Sequence, residues 1–218
     1  HIEKDGMLYF EKVGRTDDRL LISKTVLIGK DKIPGVIGYK PIHLMEEEEL
    51  GKIIRFDNLY IDIGAKSKEE AEGVVKIGEV AVFATKFDKI GELYKGKAFD
   101  DRVGCAVLAD ILTEELPLTV KGAFTVQEEV GLRGATVVAY DLDPDIALVL
   151  EGTSAGDTPD NKEHNISSAI GEGPVITIID PSIVCDKRLV GLLIKTAEEN
   201  SIPYQFKSRV SGGTDAGG

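Results

Sequence analysis

The sequence predicts a β-rich module followed by an α/β layered module with a mostly parallel sheet. Three patterns carry this. Short strand-like runs punctuated by Gly and Asp fill the first ninety residues. Strand-like and helix-like periods alternate from about Gly91 onward. Finally, Ile146-Ala147-Leu148-Val149-Leu150 is apolar throughout, as a strand buried on both faces should be.

In chain order, Met7-Leu8-Tyr9-Phe10, Thr25-Val26-Leu27-Ile28, Ile33-Pro34-Gly35-Val36-Ile37-Gly38 and Val80-Ala81-Val82-Phe83 read as strands. Glu46 to Glu49 form a charge run, read as a solvated loop or helix face. Ser67, followed by Glu70, is a capping box that opens a helix. Over residues 101–115 the apolar positions Val103, Val107, Leu108, Ile111 and Leu112 recur at helical spacing, and Pro117 ends the pattern. Residues 120–126 read as a strand, residues 131–140 as the start of a helix, and residues 175–179 as a further buried strand. A helix over residues 189–200 puts Leu189, Leu192, Leu193 and Ala197 on one face, and residues 202–206 read as a last strand.

The 218 residues are 42% hydrophobic and 29% charged, which is ordinary globular chemistry. Lys and Arg number 26 against 38 Asp and Glu, a formal charge of −12 that disfavours nucleic acid and anionic lipid as partners. No apolar run approaches the roughly 18 residues of a membrane span. Cys105 and Cys185 form no disulfide framework, so a reducing, cytosolic compartment is expected. The chain opens on His1 and closes on Ser211-Gly212-Gly213-Thr214-Asp215-Ala216-Gly217-Gly218, and is expected to be a piece of a longer polypeptide.

Open α/β sheets place chemistry outside the carboxyl ends of their strands, and three acidic groups sit at such positions. Asp100-Asp101 precede a helix, where one can cap and the other reach a metal. Glu128-Glu129 follow an apolar strand; adjacent anions there need a cation or a shared proton, with one as ligand and the other as general base. Glu151 ends the apolar run at Leu150. Asp157, flanked by Gly156 and Pro159, reads as a turn residue. Together these acids suit two divalent cations sharing a bridging carboxylate. Zinc or cobalt would also favour imidazole, yet His1, His43 and His164 lie in no ligand-type motif.

At these motifs the sequence resembles the tetrahedral aminopeptidases, the cytosolic dinuclear metallopeptidase family that includes glutamyl aminopeptidases and proteins once labelled endoglucanase M. The matching strings are Ala98-Phe99-Asp100-Asp101-Arg102-Val103-Gly104, Val126-Gln127-Glu128-Glu129-Val130-Gly131 with Arg133-Gly134-Ala135, Ala155-Gly156-Asp157-Thr158-Pro159, and Ser211-Gly212-Gly213-Thr214-Asp215-Ala216-Gly217. The resemblance implies that Asp100 bridges two metals with Asp101 in support, that Glu129 and Glu151 are terminal ligands, and that Glu128 is the general base. Two family histidine ligands, one upstream and one after the Gly-rich stretch, have no counterpart here.

The resemblance further implies a three-layer α/β/α catalytic domain over residues 91–218. A PDZ-like β-barrel, residues 1–90, would be inserted in it and drive assembly into a tetrahedral homododecamer. Two zinc or cobalt ions per subunit and short peptide substrates, trimmed from the N-terminus in the cytoplasm, complete the expectation. Two readings compete: a metal-independent glycosidase using paired carboxylates, and a non-catalytic scaffold that receives a peptide strand at a sheet edge.

Overall fold

In the computed structural model Thr25–Ile28 (β1), Ile33–Gly38 (β2), Tyr60–Asp62 (β3) and Ala81–Phe83 (β4) form an antiparallel sheet of order β3-β2-β1-β4. The model describes all residues but Arg15, Asp160 and Ser211; Asp160 of the polar loop before His164 and Ser211 of the closing motif thus lie outside the described residues. Alternation sets the faces of the sheet. Val26 and Ile28 of β1 and Ile37 of β2 are buried, while Thr25 and Val36 face out. β1 pairs β2 from Thr25↔Val36 to Ile28↔Ile33. Gly35 is dictated by packing, since a Cβ there would lie 2.6 Å from Ile61 Cγ2 on β3.

This sheet belongs to the first of two compact units, His1–Lys97 and Ala98–Gly218. Its core joins the sheet residues to Ile2, Leu8, Leu21, Leu59, Ala71 and Val75. Lys68–Glu72 (α1) starts as the sequence predicts: Ser67 Oγ accepts from Glu70 N–H at 3.3 Å, although Glu70 returns its bond to the Lys66 N–H. Asp88–Ile90 (β5) and Leu93–Lys95 (β6) form a separate exposed hairpin. Only Leu8 of the expected strand 7–10 enters a bridge, to Ile2 and to Ile61.

The second unit carries Phe99–Ile111 (α2), Arg133–Leu142 (α3), Val175–Ile176 (β7), Lys187–Glu199 (α4) and Gln205–Phe206 (β8). Asp186 caps α4, accepting from Arg188 N–H at 2.8 Å and Leu189 N–H at 3.3 Å. α4 lies between β7 and β8 in sequence, the crossover a parallel pair requires. Gln205 then clasps a neighbouring loop, with Oε1 accepting from Ala169 N–H and Nε2 donating to the Ala169 and Gly173 carbonyls.

Two expectations change. Among the described residues, the mostly parallel sheet reduces to the two-residue β7–β8 ladder. The runs 120–126 and 146–150 join no ladder, and apart from half-buried Ala123 and Thr125 their side chains are open to solvent, Phe124 at 54% and Leu148 at 64%. The cause is physical: a strand exists only where a second backbone meets its N–H and C=O groups, and none described comes alongside these runs. A groove lined by Phe124, Val126, Val137 and Leu142 accordingly stays open between residues 122–127 and α3.

Candidate metal centre

The start of α2 is not yet helical at its acids. Asp100 (φ −84°, ψ 111°) and Asp101 (φ −116°, ψ 51°) are kinked, and regular helix begins beyond them. Asp101 therefore acts as a cap, its Oδ1 accepting from Gly104 N–H at 3.0 Å. Gly104 is buried, and any side chain there would drive into the Asp101 carboxylate. Freed from the helix path, Asp100 faces the end of the 146–150 run, where a Cβ on Gly152 would lie 3.1 Å from Asp100 Oδ1.

The result is a convergence. Asp100, Asp101 and Glu151 each offer an oxygen within 4.8 Å of the other two. Burial raises the Glu151 carboxyl to about 8, and Asp100 and Asp101 beside it add to this, against a lowering bond from Gly152 N–H. Asp101 is raised by burial and the Asp100 charge, with bonds from Gly104 and Gly152 opposing. Carboxyls crowded and buried in this way are unsuited to standing together as bare anions and suited to sharing a cation.

Glu128 and Glu129 are positioned by the turn into α3. Gly131 and Leu132 N–H both bond the Glu128 carbonyl at 3.0 Å, and Gly134 N–H bonds the Val126 carbonyl at 3.0 Å. Gly134 lies so close to Val126 that a side chain would strike the backbone. Gln127 sits in the left-handed region at φ +61°, a strained conformation that costs a non-glycine roughly 1–2 kcal/mol. Burial raises the Glu128 carboxyl, and the charges of Glu129, Asp215, Asp100 and Asp101 raise it further. Glu129 is exposed and stands outside the three-acid cluster.

The histidines lie elsewhere: His1 stacks on Tyr9 and bonds Glu3, while His43 and His164 are exposed in short 3-10 turns. Asp157, expected in a turn, lies in irregular backbone and accepts from Ile170 N–H at 2.9 Å, outside the three-acid cluster. Two acids were given no role from the sequence. Asp180, 5% exposed, accepts from Ser182 N–H, Ser182 Oγ and Ile183 N–H; the following Pro181-Ser182 is the turn chemistry that could have marked it. Asp215 accepts from Thr125 Oγ1 through Oδ2, and its buried Oδ1 has no partner.

An all-carboxylate set fits a hard or borderline divalent cation, because three oxygens brought within 4.8 Å of one another repel unless a cation or a shared proton lies among them.

The model of the M42 glutamyl aminopeptidase family matches residues 1–218. The chain belongs to this family. Among solved structures it is similar to a TET aminopeptidase from the marine sediment archaeon Thaumarchaeota archaeon SCGC AB-539-E09, with a TM-score of 0.93 and 40% identity, covering 100% of this chain and 64% of that one. It is also similar to the TET1 peptidase of Pyrococcus horikoshii, described as assembling into a tetrahedron or a large octahedral shell, with a TM-score of 0.81, 36% identity, and 99% and 66% coverage. A curated relative, the lysyl aminopeptidase of Pyrococcus furiosus, is 31% identical over 224 residues, 99% of this chain and 63% of its own length. This chain thus spans somewhat less than two thirds of the length of the curated relatives it matches.

Proposed function

We propose that the acid cluster is the carboxylate side of a dinuclear metal site, and that the complete protein is an aminopeptidase acting on short peptides. The meeting of Asp100, Asp101 and Glu151 within 4.8 Å carries this reading. Asp100 would bridge two ions, zinc or cobalt, with Glu129 and Glu151 as the terminal carboxylates. Such ions polarise a scissile carbonyl and lower the pKa of water. Asp101, bonded to Gly104 N–H, keeps the start of α2 in the kinked path that turns Asp100 toward Glu151.

Glu128 is the general base. Its raised carboxyl lies closer to neutral pH, where it can take a proton from the attacking water and return it to the leaving amine as the peptide C–N bond breaks. Residues 91–218 are read as part of a three-layer α/β/α catalytic domain. Residues 1–90 are read as a PDZ-like β-barrel that supports a tetrahedral homododecamer in the cytoplasm.

The test is a panel of fluorogenic aminoacyl substrates on the complete natural chain, with chelator and then with added zinc or cobalt. Hydrolysis should vanish on chelation and return with either ion. Hydrolysis indifferent to chelator, or metal-free cleavage of glycosides, would overturn the reading.

A further inference from the structure

Asp180 is buried, yet the chemistry proposed above gives it no task. It lies in a tight turn between Ile179 and Val184, which bridge to each other. Its Oδ1 accepts from Ser182 N–H at 2.7 Å, Ser182 Oγ at 2.6 Å and Ile183 N–H at 3.0 Å, which locks that turn. Its Oδ2 accepts from Thr214 Oγ1 at 3.3 Å, and Ser182 Oγ accepts from Thr214 N–H at 3.4 Å. Thr214 in turn caps the closing turn Asp215–Gly217 by accepting from Ala216 N–H. Glycines let the two turns meet. A side chain at Gly217 would drive into Ser182, and a Cβ at Gly213 would lie 3.2 Å from Ser182 Oγ.

The closing turn reaches both shoulders of the loop that carries Glu128. On one side Thr125 Oγ1, shortly before Glu128, donates to Asp215 Oδ2. On the other, a Cβ on Gly218 would lie 2.7 Å from the Cβ of buried Ala135, near the start of α3. Between these shoulders, Gly131 and Leu132 N–H bond the Glu128 carbonyl. We infer that Asp180 and Thr214 are positioning residues for Glu128: their bond docks one turn on the other, and the docked turn holds the Glu128 loop from both sides. The inference rests on the reading of Glu128 as general base proposed above. Misplacing a reacting group by about 1 Å costs on the order of 10²-fold in rate, so a small shift of this loop is readable in kcat.

The complete natural chain, with added zinc or cobalt, would be compared with Thr214→Val, Thr214→Ser and Asp180→Ala on a fluorogenic aminoacyl substrate, metal content being measured beside kcat and KM. Thr214→Val cuts the bond to Asp180 and leaves the 180–183 turn intact. Its kcat should fall about 10-fold or more, with KM and metal content within about twofold of wild type. Thr214→Ser keeps the hydroxyl and should recover most of that loss. Asp180→Ala spares the Ala216 cap and should lose kcat likewise; wild-type kcat there overturns the inference, and if it does not fold Thr214→Val decides. The decisive measurement repeats Thr214→Val in Glu128→Gln. A residue that acts through Glu128 then has nothing left to position, so residual turnover should stay within about twofold of Glu128→Gln alone. A merely structural bond instead lowers the melting temperature and leaves kcat of the folded, metal-loaded enzyme unchanged. That result, a loss that multiplies with Glu128→Gln, loss of metal, or a Thr214→Val chain that does not fold overturns the inference and leaves the proposed function standing. Wild-type turnover in Glu128→Gln, or a wild type that hydrolyses no aminoacyl substrate, overturns both.

Discussion

Glu128 and Glu151 are both carboxyls raised by burial and by neighbouring acids, but their proposed jobs differ, and single substitutions separate them. Glu128→Gln should leave metal content intact while turnover falls by a factor on the order of 10² or more, read by elemental analysis beside kcat. Retained turnover with lost metal would exchange the roles of Glu128 and Glu129. Asp100→Asn should release both ions together. Glu151 also makes a prediction for the metal-free protein. Its folded pKa of about 8 exceeds the unfolded value near 4.5, so the folded state binds the extra proton across that interval. The contribution of Glu151 to stability should therefore be full below about pH 4.5 and decline as pH rises toward 8. Glu151→Gln should flatten the profile measured by thermal melts. The sequence singled out Asp100, Asp101 and Glu151, which meet in the structure, by their place beside apolar runs, although the run before Glu151 pairs with no other strand. Asp215 was not singled out, because its significance is a bond to Thr125, ninety residues away.

Helix starts were the most legible elements, since local chemistry writes them. Ser67 and Glu70 announce α1, whereas α4 starts two residues before the expected 189, on an Asp186 cap that was not read from the sequence. Asp186→Ala should cost about 1 kcal/mol, measured by denaturant unfolding. Strands were legible only where both partners lie in the chain: β1 and β2 appear at the residues the sequence predicts, whereas 120–126 and 146–150 find no ladder. Three-residue β3 escaped notice because too few positions alternate to reveal a period. At the close approaches, glycine is required by its neighbours. Gly152→Val should push Asp100 from Glu151 and Gly134→Val should displace the Glu128 turn, each lowering metal affinity in a cobalt titration.

The chain as a whole exposes 16302 Å². A compact monomer of 23.5 kDa would expose about 9,800 Å², and two separate domains of these sizes about 12,000 Å². The excess therefore does not depend on how the two units are arranged. It belongs mostly to the second, whose buried apolar residues are Ala135, Ile176 and Ala197, against ten in the core of the first. Amide exchange on this 218-residue chain should accordingly find its slowest protons in β1–β3 and fast exchange through 146–150. Among the described residues no helix is long and apolar enough to cross a membrane.

The better-packed unit also comes earlier along the polypeptide. A ribosome adding some 5–20 residues each second gives Ile28, Ile37 and Ile61 several seconds to close around one another before Glu151 has been made. The mutually repelling acids are thus gathered only after the core of residues 1–97 has had time to take its shape.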